Sequence, residues 1–339
     1  MPPTPPDLAV WTDRVRDTLA RYTDVLFRLS TGSLVKPKIG HSIDDLRDRV
    51  CDAQSNAPVI DRRLRELPAG AQALVRLMGL SRCPVWKAGH LIALAAAAGH
   101  ADGFAPVEEL LGAGVAFPAD EGDSKIADFA AWFGQAGTLA APVFVHPAVL
   151  ARARGLVAVP PAKPRGATVG TSDGLEWPLR IAAAWQRSRA AAVKTTLAKT
   201  LFKRDLARLQ SDELLTSPFA ESALAVPDAG VLAFEWAVAA GLFRAGVNEF
   251  VAEPAIPDWS ESPWPTLAHL FARFFAVETW DPRAGYAPSE GGLNPTPTAA
   301  LAVLDQLARA NAPRTAPELA GPIWEHHTSW PSALSRDDA

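Results

Sequence analysis

The stretch Leu242-Phe-Arg-Ala-Gly-Val-Asn-Glu-Phe-Val251 decides the fold. Apolar and polar residues alternate on both sides of Gly246-Val-Asn248, so the segment reads as two short strands joined by a tight turn. Ala229–Ala240 precedes it as a long apolar helix that would cover a core. Further upstream, Leu179–Arg187 reads as a helix with Ile181 and Trp185 on its apolar side, and Val193–Lys199 as a short second element. Phe202–Gln210 then reads as a third helix that buries Phe202, Leu206 and Leu209 at i, i+4 and i+7. Helices closed by a small hairpin follow the order of a winged helix. Ser262–Val277 adds a further helix, apolar at Trp264, Leu267, Leu270, Phe271, Phe274 and Phe275.

The same layout is expected earlier in the chain. Helices are predicted over Val59–Glu66, Ala69–Met78, Trp86–Ala98 and Phe104–Leu111, followed by a strand at Gly114–Phe117. A helix at Lys125–Phe133 interrupts before a second strand, Pro142–Val145, as if inserted into the wing. Leu8–Leu29 carries an apolar stripe of one amphipathic helix, and Ser42-Ile-Asp-Asp45 looks like an N-cap with acids in the first turn.

These readings give a mainly α protein with small β-hairpins, built from tandem winged-helix or helix-turn-helix modules behind an N-terminal helical segment. The expected divisions are 1–56 for that segment, 57–154 for the first module and 155–175 for a Pro/Gly/Ala-rich linker. The second module with its C-terminal helix takes 176–280. A Pro/Gly-rich tail with one helix, Thr298–Ala310, takes 281–339.

With 339 residues, 48% of them hydrophobic, the chain can bury more than one core. Its longest apolar run, Leu91–Ala98, is too short for a membrane span. The start Met1-Pro-Pro-Thr-Pro-Pro6 has no basic or apolar leader character, and Cys51 and Cys83 have no metal-like spacing, so a reducing cytoplasm is expected. No phosphate-binding G-x-x-x-x-G-K-[ST] loop, G-x-S-x-G elbow, H-E-x-x-H or C-x-x-C pattern occurs. The one histidine pair, His326-His327, points its rings to different faces, which makes shared ligation awkward. Catalytic residues, metal ligands and cofactors are therefore all expected to be absent.

The positive signal is charge. Arg180, Arg187, Arg189, Lys194, Lys199, Lys203, Arg204 and Arg208 face one acid, Asp205, giving a local net of +7 in a chain whose net is −4. Cations on one face gain affinity for nucleic acid by releasing counterions. If Phe202–Gln210 is the groove-entering third helix, its outward positions are Lys203, Arg204 and Arg208. The expected nucleic-acid-binding set is Arg187, Arg189, Lys194, Lys199, Lys203, Arg204 and Arg208, with DNA as the partner. The corresponding helix of the first module carries Glu108 and Glu109 and no base, and would repel phosphate. The alternative is a protein–protein adaptor that uses winged helices as a scaffold, supported by aromatics near Trp259–Trp280.

Leu201-Phe-Lys-Arg-Asp-Leu-Ala-Arg-Leu209, together with Asp173-Gly-Leu-Glu-Trp-Pro-Leu179 and Trp185-Gln186, resembles bacterial helicase-associated proteins related to the winged-helix region accompanying XPB-type helicases. Ile60-Asp-Arg-Arg-Leu64, Ser81-Arg82, Gly99-His100 and Asp102-Gly103 resemble uncharacterised planctomycete members of that group, and Glu325-His-His327 with Trp330 resembles a further motif. The resemblance covers most of Leu34–Trp330. It implies tandem winged helices, DNA transactions, a helicase or other protein as a second partner, and the start of a further domain near the C-terminus. The chain lacks the helicase motor, so the resemblance implies no ATPase activity.

Overall fold

The computed structural model describes residues 8–32, 34, 42–81, 83–100, 103–119, 122, 124–137, 139–155, 175–197, 200–217, 226–254, 263–282, 284–288 and 301. These are mainly helical, with small antiparallel sheets of two or three strands. Two compact units emerge, one holding the elements from Leu8 to Gly155 and the other those from Glu176 to Tyr286. Residues 156–174 of the expected 155–175 linker and most of the Thr298–Ala310 helix lie outside the described residues, as does His326-His327.

The N-terminal unit opens with α1 (Leu8–Arg21), α2 (Asp24–Thr31) and α3 (Ile43–Ala53). The single helix expected over Leu8–Leu29 is broken. Tyr22 bridges to Ile126, Thr23 N donates to the Ile126 carbonyl (3.0 Å), and Thr23 then caps α2 through Leu26 N. A chain committed to that bridge cannot continue the i→i−4 ladder, and the break turns Leu29 out to solvent. The predicted cap at Ser42 is a full capping box: Ser42 Oγ accepts from Asp45 N, and the Asp45 carboxylate accepts from Ser42 N.

The unit continues with α4 (Ala57–Glu66), α5 (Ala69–Ser81), β1 (Val85–Lys87), α6 (Ala88–Ala97) and α7 (Ala105–Gly112). It closes with β2 (Ala116–Pro118), α8 (Phe129–Ala136), β3 (Pro142–Val145) and α9 (Pro147–Gly155). Trp86 was expected to open a helix but lies in β1, paired with Val143. Pro84 keeps Cys83 extended, and the Trp86 indole donates to the Cys83 carbonyl (2.8 Å), so helix begins only at Ala88. The sheet order is β1-β3-β2, all antiparallel. The N-terminal helices share this core rather than forming a separate segment. Gln54 donates to the Gly114 carbonyl (3.0 Å), and Arg14 donates to the Ala119 carbonyl with its guanidinium 4.9 Å over the Phe144 ring.

The C-terminal unit runs α10 (Glu176–Ala190), β4 (Val193–Lys194), α11 (Lys203–Ser211), α12 (Glu213–Thr216) and α13 (Ala229–Ala239). Then come β5 (Phe243–Ala245), β6 (Glu249–Ala252), α14 (Pro263–Phe274), β7 (Trp280–Asp281) and β8 (Gly285–Tyr286). The hairpin read from Leu242–Val251 is present as β5–β6, and its sheet order, β4-β6-β5, repeats that of the first unit. Ile181, Val193, Leu209, Val231, Phe234 and Phe250 form the core. Gly230 brings α13 against the end of α11, and a Cβ there would stand 2.1 Å from the Leu209 carbonyl oxygen.

The β7–β8 hairpin, unforeseen in the sequence, is fastened to the start of α13. Trp280 Nε1 donates to the Pro227 carbonyl (2.7 Å), and the Asp228 carboxylate accepts from Tyr286 N (2.9 Å) and from Gln210 (3.0 Å). Asp228 holds a left-handed backbone (φ 49°) to do so.

Candidate nucleic-acid interface

The basic side chains singled out by sequence come from three elements of the C-terminal unit: the last turn of α10 (Arg187, Arg189), β4 (Lys194) and α11 (Lys203, Arg204, Arg208). Lys199 lies outside the described residues. Backbone pairing draws β4 and α11 together. Thr195 bridges Leu201, Thr196 N donates to the Thr200 carbonyl (2.9 Å), and Phe202 N donates to the Lys194 carbonyl (3.1 Å). On the other side Thr195 N donates to Asn248 O (2.9 Å), which sets this loop beside the β5–β6 turn.

Two expectations about this region need correction. The first concerns the helix that carries the bases. A strand, β4, follows α10, so α11 is the second helix of the unit and the one leading into the hairpin is α13. That helix, Ala-Gly-Val-Leu-Ala-Phe-Glu-Trp-Ala-Val-Ala, has no base and no fully exposed residue. Leu232 and Trp236 on one side pack with Val277, Trp280 and Phe274, while Phe234 and Ala237 enter the main core. The second concerns Phe202, which was expected to be buried and is 47% exposed. It is the extended residue before the helix (φ −63°, ψ 142°), so the helical period does not carry its side chain inward. The buried face of α11 is Asp205 and Leu209 instead, with Leu206 half-buried.

The charges divide into two groups. Arg180 is buried, donates to the Leu215 and Ser217 carbonyls, and lies 5.6 Å over Trp177; burial lowers its pKa. Arg187 pairs with Asp212 (3.2 Å) and Arg208 with the buried Asp205 (3.2 Å), whose other oxygen accepts from Lys194 N. These three arginines hold the unit together. Lys194, Lys203 and Arg204 are exposed and have no ion pair among the described residues, and Arg189 rests 5.0 Å over Trp185 with no acid beside it. The local +7 of the sequence is diluted in space. Between 175 and 254 the eight described bases meet eight acids, among them Asp212, Glu213, Glu249 and Glu253, and Glu249 lies directly across the sheet from Lys194. A sequence window cannot count acids that arrive from other elements. The Arg187–Asp212 ion pair and the placing of Glu249 opposite Lys194 were missed for that reason.

In the N-terminal unit, α7 presents Glu108 to solvent and buries Val107, Leu110 and Leu111, as its acidic sequence implied. A cleft of about 770 Å³ beside α1 is lined by Asp13, Arg14, Asp17, Arg21 and Ala119, a mixture of opposed charges that converges on no single chemistry. Among the described residues no group of three or more His, Cys, Asp or Glu is placed to hold a metal, and no helix is long and apolar enough to cross a membrane. No family model, curated protein or solved structure matches this chain.

Proposed function

We propose that this protein is a non-enzymatic nucleic-acid-binding accessory protein whose two units are winged helices, the second of which contacts phosphate through Arg189, Lys194, Lys203 and Arg204. The winged-helix reading is supported by a shared order in both units. A helix, a strand, two principal helices and two further strands are arranged so that the last strand lies between the other two, as in β1-β3-β2 and β4-β6-β5. The observation that carries the nucleic-acid reading is the exposed, unpaired trio Lys194, Lys203 and Arg204, held side by side by the β4–α11 backbone bonds. The likeness of Leu201–Leu209 to helicase-associated proteins points the same way. Arg187 and Arg208, each engaged by an acid, drop out of the contacting set.

The test is binding of the full chain to a labelled DNA that has both a duplex and a single-stranded tail, across a salt series. About three or four phosphate contacts should give log K a slope of roughly −3 against log salt. Lys203→Glu with Arg204→Glu should abolish binding and leave the fold intact. No binding at about 50 mM salt, where phosphate contacts are strongest, overturns the reading.

A protein–protein adaptor is the second reading. Leu179 on α10 and Leu214 on α12 are both large apolar side chains left exposed on elements that pack together through Arg180 and the Leu215 carbonyl. Exposed leucines are suited to a partner protein and not to phosphate.

A further inference from the structure

Resting on the nucleic-acid reading, we infer that the strand taken by the C-terminal unit is single-stranded, with the Phe202 ring as the platform on which a base stacks. Duplex readout in a winged helix needs side chains projecting from the helix before the wing into a groove. Here that helix is α13, which has no fully exposed residue and no side chain on its accessible part able to read a base edge except Glu235 and Trp236. Glu235 is half-buried beside Thr279, and the Trp236 indole N–H is spent on the Leu270 carbonyl (2.6 Å).

What the unit does expose is an aromatic ring within its free cations. Phe202 directly precedes Lys203 and Arg204, and its N–H is bonded to the carbonyl of Lys194, which holds its backbone next to all three basic residues. Among the described residues no other ring packs on Phe202. The same two loops also expose apolar side chains: Leu197, 86% exposed in the β4–α11 loop, and Val247, 79% exposed in the β5–β6 turn tied to that loop through Thr195 and Asn248. Phosphates of a duplex would meet Leu197 and Val247 with nothing gained. An unstacked base has apolar faces that all three side chains can cover while its phosphates reach the lysines and arginine. Asp205 is buried and held by Arg208, so it does not oppose an incoming phosphate from the surface. Glu249, across the sheet from Lys194, leaves Lys203 and Arg204 on α11 as the cations with no acid opposite them among the described residues.

The experiment measures fluorescence anisotropy of the full chain with an oligothymidylate of about 20 nucleotides, a mixed-sequence duplex of the same length and anionic phospholipid vesicles. The single strand should bind about tenfold more tightly than the duplex at equal salt. Phe202→Ala and Phe202→Leu should each weaken it about tenfold without altering the salt slope, while Phe202→Tyr keeps wild-type affinity. Phe202→Leu retains apolar bulk without the ring, so it decides the question if the alanine variant fails to fold. Equal or tighter duplex binding, wild-type affinity in Phe202→Leu, or preference for vesicles overturns the inference while leaving phosphate contact standing in the first two cases. Binding to neither nucleic acid by a folded protein removes the functional reading itself.

Discussion

In the N-terminal unit the helix before the last two strands is α7, an eight-residue element that buries one side and turns Glu108 to solvent. In the C-terminal unit the equivalent helix is α13, which packs against α10 and α11 on one side and is covered by α14 and the β7–β8 hairpin on the other. The strand order is the same in both. The contrast teaches that one topology can leave its third helix acidic and open or apolar and enclosed, so neither unit offers phosphate a basic third helix. On the proposed reading, contact with nucleic acid passes through a different part of the second unit, where Lys194, Lys203 and Arg204 lie exposed.

Four measurements would break or sharpen this contrast. The largest effect is expected from glycines on the two helices. Gly230→Ala should destabilise the C-terminal unit by about 3 kcal/mol or more, because the added carbon collides with backbone and not with a flexible side chain. Gly112→Ala on α7, with open space around it, should leave the N-terminal unit unchanged or stabilise it by up to about 1 kcal/mol. Separate thermal transitions in the two variants would show it, and a mild Gly230→Ala would mean that α13 is less tightly enclosed.

The second is the response to pH, where the units should move in opposite directions. Burial pushes the Glu235 carboxyl from 4.5 to about 7, against the weaker opposing influence of Thr279. Between those pH values the folded state holds a proton that the unfolded state releases. The contribution of Glu235 is therefore fully present below about pH 4.5 and is lost, by about 2 to 3 kcal/mol, as pH rises through 7. Burial lowers the pKa of His146 below 6.5, so the N-terminal unit loses stability as pH falls below that value. Denaturant titrations at several pH values check this, and Glu235→Gln should flatten the slope of the C-terminal unit alone.

The third compares arginines within the basic run. Arg180→Ala should cost about 2 kcal/mol, since it leaves the Leu215 and Ser217 carbonyls without their donor inside the fold. The smallest effect belongs to the proposed contact residues. Lys203→Ala and Arg204→Ala should alter stability by less than about 0.5 kcal/mol, because neither has a partner among the described residues to lose. A large cost at either would mean that the residue serves the fold rather than a ligand.

Much of the secondary structure was legible because its causes are local. The Ser42 cap, the apolar period of Ala69–Met78, the strand Pro142–Val145 and the turn at Gly246-Val-Asn248 all depend on neighbours within a few residues. Where the expectation failed, the deciding partner was distant: Ile126 breaks the first helix at Tyr22, Val143 turns Trp86 into strand, and Asp228 pins a hairpin that Trp280-Asp281 alone does not announce.

The site divides along the same line. From sequence alone come the identity of the bases, their clustering around Leu201–Leu209 and the absence of bases from the helix carrying Glu108 and Glu109. Only the tertiary structure decides which of those bases are already engaged, that Phe202 faces solvent, and that the helix before the hairpin is covered. The physical reason is that capping and turn formation are settled over a few bonds of chain, whereas neutralisation and burial depend on distances in space between groups that the chain brings together from far apart.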